Sequence, residues 1–137
     1  MILKSEEEMV EFGEKIARAI SLPCCIELVG DVGTGKTTIT KGIAKGLGVT
    51  DEVTSPSFMI SKRYEFPEGN LVHYDFYRLK EPGIMSEDLM ENLADEKTVT
   101  VVEWGDSVAE LLPERHKKYQ ILLKEDGTRE IIDENVS

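Results

Sequence analysis

The sequence lacks most of what would make a secreted, membrane-spanning or metal-stapled protein. It has only two cysteines in 137 residues, and they are neighbours, Cys24 and Cys25. A disulfide within a dipeptide is strained. No C-x-x-C pair or Cys/His cluster occurs, so neither a disulfide framework nor a zinc site is expected. No apolar run approaches the roughly 20 residues that cross a bilayer. The N-terminal MILKSEEEM turns acidic after two apolar residues, unlike a secretory signal. The expected location is therefore cytoplasmic, with buried, reduced thiols. Net positive charge is missing too: 16 basic residues face 27 acidic ones, a balance of −11. Such a chain repels phosphate backbones, which excludes a simple nucleic-acid-coating protein.

What is present fits one globular domain spanning residues 1–137. Hydrophobic residues make up 40% and charged residues 31%, too apolar for a disordered chain. The charge is unevenly spread. Residues 36–80 carry seven basic and five acidic side chains, a net of +2. Residues 81–114 carry one basic and ten acidic, a net of −9. The second block is either a solvated acidic face or a docking surface for a basic partner.

Hydrophobic spacing sets the elements. Ser5 and Glu8 form a capping box, and Met9, Phe12, Ile16 and Ile20 follow at helical intervals, predicting a helix over 5–20. Residues 24–29 (CCIELV) read as a buried strand. A glycine-rich turn follows, then a helix to Leu47 that stops at Gly48. Residues 57–65 and 71–76 read as strands joined by a turn at Pro67–Asn70. An acidic helix is expected over 86–92 and a buried strand over 98–103. Asp106 should cap a short helix, SVAELL, ending before Pro113. Strands at 119–123 and 128–132 flank Asp126-Gly127, a hairpin signal. The order α-β-α-β-β-α-β-α-β-β predicts a three-layer α/β domain, a mixed sheet with a parallel centre and antiparallel flanking strands.

Residues 30–37, GDVGTGKT, match G-x-x-x-x-G-K-[ST] between a strand and a helix. Backbone N–H groups of such a loop wrap a phosphate, and glycine permits the positive φ angles this requires. The helix that follows points its positive end at the same anion. Asp31, Val32, Gly33, Thr34, Gly35, Lys36, Thr37 and Thr38 are the expected phosphate contacts. Lys36 reaches the outer phosphates and Thr37 is placed for Mg²⁺. A nucleoside triphosphate is thus the expected ligand.

Such a site also needs a carboxylate at a neighbouring strand end, to hold the cation or orient a water. Asp75 and Glu103 both end strands, and both are candidates. Trp104, the only tryptophan, follows Glu103 and either packs in the core or lies over the nucleotide. Thr54-Ser55-Pro56-Ser57-Phe58 lies where a γ-phosphate-sensing hydroxyl is found in switch-bearing proteins; otherwise it is a proline-fixed turn. His73 shares a face with Asp75 and reads as a polar strand residue rather than a base. Lys62 and Arg63 read as surface charge.

GDVGTGKTT, TSPSF, HYDFYRL and EWGD, at these spacings, resemble the TsaE (YjeE) family, small bacterial P-loop ATPases of tRNA threonylcarbamoyladenosine synthesis. The resemblance covers about residues 5–132. It implies the P-loop NTPase fold, Mg²⁺ as cofactor with ATP as substrate, and a TsaB–TsaD heterodimer as partner. The ATPase would drive or reset that transferase, touching tRNA only through the complex. It implies that Lys36, Asp75 and Glu103 carry catalysis. Thr37, Glu103 and Asp75 would hold the metal, and Trp104 and Ser57 would lie against the nucleotide. Ser5 and Glu6 would approach the adenine. Ser57 stands where the family pattern has Thr, and Asp106 where it has Glu; both keep the functional group.

Two other readings remain open from the residues. A small-molecule kinase would need an acceptor pocket and an arginine-bearing lid, yet the five arginines do not cluster. A nucleotide-dependent docking module would hydrolyse only incidentally. A GTPase would need an N-K-x-D guanine reader, and none occurs.

Overall fold

A computed structural model describes residues 1–31, 33–54, 61–76 and 83–134, apart from the side chains of 83–85 and 105–107. The first helix, α1 (Glu6–Ala19), starts where the capping residue predicts: the Ser5 Oγ accepts from the Glu8 N–H at 3.1 Å. Glu6, Glu7 and Glu8 line its positive end, where carboxylates are favourable. Strand β2 (Cys24–Val29) and helix α2 (Lys36–Leu47) fall where periodicity places them, and Gly48 ends α2 in the left-handed region at φ 96°.

Seven strands form one sheet in the order β1-β7-β6-β2-β5-β4-β3. They are β1 (Ile2–Leu3), β2, β3 (Ser61–Phe66), β4 (Gly69–Asp75), β5 (Thr98–Glu103), β6 (Lys117–Leu123) and β7 (Arg129–Asp133). The central four, β6-β2-β5-β4, are parallel. β3 closes one side antiparallel to β4, and β7 with β1 closes the other. This is the mixed sheet, parallel at its centre, that the sequence predicts.

Alternation along the central strands feeds two cores. Ile26, Leu28, Leu71, Val99 and Val101 pack with Met9, Phe12 and Ile16 of α1 and Ile39 and Ile43 of α2. Cys25, Val72, Tyr74 and Val102 point the other way. They pack with Leu89 of α3 (Gly83–Ala94) and with Val108 and Leu112. Cys24 and Cys25 thus serve opposite faces, as successive strand residues must, and both are free thiols.

Several local expectations are corrected. Strand β1 has two residues, too few for any periodic signal, and exists only because β7 pairs with it. The segment after β5 is a 3₁₀ helix over Gly105–Leu111, not an α-helix capped by Asp106. Its N-cap is Trp104, and Asp106 lies inside the turn. β3 starts at Ser61, and Phe58 and Ile60 lie outside the described residues. β4 starts two residues earlier than expected, because the turn needs only Pro67–Glu68. α3 runs from Gly83 to Ala94, longer than its acidic stretch.

α1 and α2 cross at glycine contacts. A Cβ on Gly13 would collide with the Ile39 carbonyl, and one on Gly42 with the Val10 carbonyl. Backbone-to-backbone approach of this kind fixes α2, and the loop at its N-terminus, against α1. Among the described residues no helix is long and apolar enough to cross a membrane.

Candidate functional site

The glycine-rich loop leaves the C-terminal end of β2 and enters α2. Gly33 and Gly35 sit at φ 85° and 104°, the left-handed region that side chains other than glycine's rarely adopt. Thr34 ties the turn by donating from its hydroxyl to the Asp31 carbonyl at 2.8 Å. A Cβ on Gly35 would strike Met9 Cε, so the start of α1 lies directly against the loop.

Lys36 is buried, and its ammonium donates to the Gly30 carbonyl and, at 3.4 Å, to the Asp31 carbonyl. Its Nζ is 4.0 Å from Glu103 Oε1 and 4.3 Å from the centre of the Trp104 ring. Burial lowers its pKa from the ordinary lysine value; the nearby carboxylates of Glu103, Asp75 and Asp31 push the other way. A cation held with incomplete compensation is well suited to an incoming anion.

Asp75 and Glu103 are direct partners across the parallel β4–β5 ladder. Both end their strands at the edge from which the loop rises, with β5 beside β2. Glu103 is 4% exposed, and its Oε2 is hydrogen-bonded to His73 Nε2. Trp104 follows at φ 57° and ψ 47°, an uncommon conformation for a non-glycine residue, which turns the chain sharply out of β5. The indole is therefore partly exposed over Lys36 rather than fully in the core.

The structure brings together Lys36, Glu103, Asp75 and Trp104, with Thr37 and Thr38 in the first turn of α2. Gly33, Thr34, Gly35 and Asp31 form the loop. Ser5 and Glu6 are exposed at the start of α1, where the Ser5 hydroxyl is engaged in capping the helix. Val32 and Ser57 lie outside the described residues. The donors at the strand ends and at Thr37 are all hard oxygens, which suits Mg²⁺. Among the described residues no group of three or more His, Cys, Asp or Glu forms a metal cage. Two carboxylates and a hydroxyl fit an ion that arrives with phosphate ligands of its own.

Compared with known proteins, residues 3–131 match the family model of the threonylcarbamoyl adenosine biosynthesis protein TsaE. The chain belongs to the TsaE family. It is 38% identical over 115 residues to the tRNA threonylcarbamoyladenosine biosynthesis protein TsaE of Streptomyces coelicolor, covering 82% of this chain and 78% of that one. To the protein of the same description from Treponema pallidum it is 34% identical over 134 residues, covering 95% and 96%. The crystal structure of Bacillus subtilis YdiB superposes with a TM-score of 0.82 at 31% identity, over 100% of this chain and 84% of that one.

Three features of this TsaE-family site escape the sequence patterns. Arg129, on β7, reaches across to the loop, donating from Nε to the Thr34 carbonyl at 2.9 Å. Nothing in the sequence links residues 95 apart; β7 reaches the loop through its pairing with β6, which lies beside β2. Tyr64, on β3, clasps Thr54 at the entrance to the TSPSF segment. Its hydroxyl accepts from the Thr54 N–H at 3.2 Å and donates to the Thr54 carbonyl at 3.3 Å. Lys62 adds a bond to the Thr54 hydroxyl at 3.0 Å, so it is more than surface charge. Third, an open cavity of about 490 Å³ adjoins the loop, lined by Glu27, Val29, Asp31, Thr34, Trp104 and Gln120 among others. Its buried Glu27 carboxylate is paired with His116 Nε2 at 2.9 Å. No such pocket is legible in the sequence.

Proposed function

We propose that this chain is the ATPase subunit of tRNA threonylcarbamoyladenosine modification, binding and hydrolysing Mg-ATP to drive or reset a TsaB–TsaD transferase. One observation supports this above the rest. Lys36 stands at the mouth of a phosphate loop with Glu103 and Asp75 paired on the adjoining strands. Lys36 would exchange Glu103 and the indole for the outer phosphates. The α2 N-terminus and the loop N–H groups would hold the same anion. Glu103 would then be free to orient the attacking water, with Asp75 beside it. Thr37, Glu103 and Asp75 would hold Mg²⁺, which when bound neutralises phosphate charge.

The heterodimer enters from the family resemblance. Excluding water from the γ-phosphate would fall to a second protein, as would any added transition-state charge. The acidic block at 81–114 would keep tRNA on the partners rather than on this chain.

The test is ATP turnover by the chain alone and with TsaB–TsaD. Slow release of phosphate alone, accelerated by the heterodimer, is the expected result. Equal rates would remove the coupling. ATP consumption without matching phosphate release would favour a kinase, whose acceptor the cavity beside the loop has room for.

A further inference from the structure

We propose that His73 is a positioning residue: it holds the Glu103 carboxylate in place when Lys36 leaves it for phosphate. The inference rests on the ATPase reading above and assigns a role which that reading leaves empty.

His73 lies on β4 two residues before Asp75, on the same face, opposite Val101 in the β4–β5 register. Its side chain is fully buried. Nε2 is bonded to Glu103 Oε2, while Glu103 Oε1 faces Lys36 Nζ at 4.0 Å. The two carboxylate oxygens thus have different neighbours: one is anchored to the sheet and the other is presented to the site. With Glu103 ionised, Nε2 carries the proton and donates it. In the neutral ring Nδ1 is then a bare acceptor; it is closed to solvent and has no hydrogen-bond partner among the described residues.

That orphan nitrogen argues against a purely structural role. A buried polar atom without a partner is unfavourable, so the ring is not kept for the sake of Nδ1. What only the imidazole supplies is the bond to Glu103. Among the described residues, Lys36 is the other group placed to attract this carboxylate. Without His73 the carboxylate loses this anchor once Lys36 moves to the phosphates, and with it the orientation toward water. Hydrogen-bond partners that orient a reacting ligand behave in this way at metal sites.

The geometry predicts which substitutions work. Glutamine can place its amide nitrogen where Nε2 stands, whereas asparagine reaches only the Nδ1 position, and leucine keeps the volume without a donor. With TsaB–TsaD present, His73→Leu and His73→Asn should lower kcat about 10- to 100-fold, the range found when such partners are removed. KM for ATP should change far less; Tm of His73→Leu should fall, because Glu103 Oε2 is left buried without its partner, whereas His73→Gln should keep a Tm near that of the parent. His73→Gln should restore most of kcat. The tautomer is read separately by ¹⁵N imidazole spectra, which contain only two histidines. His73 should show a protonated Nε2 and a bare Nδ1, and the Nε2 signal should shift in Glu103→Gln. A parent-like kcat in His73→Leu, equal losses in the Gln and Leu variants, or a protonated Nδ1 would each overturn the proposal. If instead the parent itself turns over no ATP with its partners, the ATPase reading fails, and the positioning role fails with it.

Discussion

At the scale of single residues, the site is defined by three charges in a small volume. Lys36 is the cation built into the loop, and burial already makes its charge expensive. Lys36→Ala should abolish ATP binding, measured by calorimetry or by Trp104 fluorescence, since the indole lies 4.3 Å from Nζ. Unchanged affinity would refute the phosphate site. Glu103→Gln removes a charge at nearly constant volume. It should leave the fold and nucleotide binding intact and lower Mg²⁺-dependent turnover by at least about 100-fold, in the range of lost general-base catalysis. Asp75→Asn should act in the same direction. Parent-like turnover in either variant, with partners present, would remove that residue from the mechanism.

At the scale of elements, the loop is held from three sides. α1 packs Met9 against Gly35, β7 sends Arg129 to the Thr34 carbonyl, and α2 is pressed on α1 at glycines. Gly42 is the most demanding of these, because an added methyl would meet the Val10 carbonyl and no side chain can yield. Gly42→Ala should destabilise the protein by about 1–3 kcal/mol, the usual penalty of overpacking. It should also weaken nucleotide binding by shifting the N-terminus of α2. Thermal unfolding and ATP titration of the same variant check both; a Tm equal to that of the parent would mean the crossing is looser than described. On the opposite face, Tyr74 anchors α3 through Asp88 and Asn92, its hydroxyl donating to Asp88 at 2.5 Å.

At the scale of the whole molecule, burial and net charge govern stability and association. Burial raises the Cys25 thiol to about 12, with Cys24 and Glu27 adding to the shift. It also raises the Tyr74 hydroxyl, helped by its bond to Asp88. Both groups favour the protonated form in the fold. Their contribution is complete below the unfolded values and is lost as pH rises through the interval between unfolded and folded pKa. For Cys25, stability should fall between about pH 9 and 12, by about 1.4 kcal/mol per pH unit. Denaturant unfolding across that interval measures it, and Cys25→Ala should flatten the slope; an equal slope in that variant would discount the thiol. The edge strand β3 carries Lys62 and Arg63 on its two faces, within the block of net charge +2, and Lys62 is bonded to Thr54 at the entrance to the TSPSF segment. Reversing both to glutamate should weaken association with TsaB–TsaD while ATP binding to the free chain persists. Calorimetric titration separates the two effects, and unchanged association would place docking elsewhere.

The sequence by itself determined what is local. The loop spacing, the strands at 24–29 and 98–103 and the helix at 36–47 follow from hydrophobic period and glycine placement over a few residues. The strand-end carboxylates Asp75 and Glu103 were legible for the same reason: each directly follows an apolar run. Only the tertiary structure decided what depends on pairing between distant segments. It placed β1 against β7, carried Arg129 to the loop and made Asp75 the cross-strand partner of Glu103. It bonded His73 to Glu103, a histidine that strand alternation alone marks as nothing more than polar. It also replaced the expected cap at Asp106 with a left-handed Trp104, because the chain must turn out of the sheet at that point. Propensity acts over one or two turns of chain, whereas register and burial are set by partners up to 130 residues away, such as the Met1 and Ile131 that join the two ends.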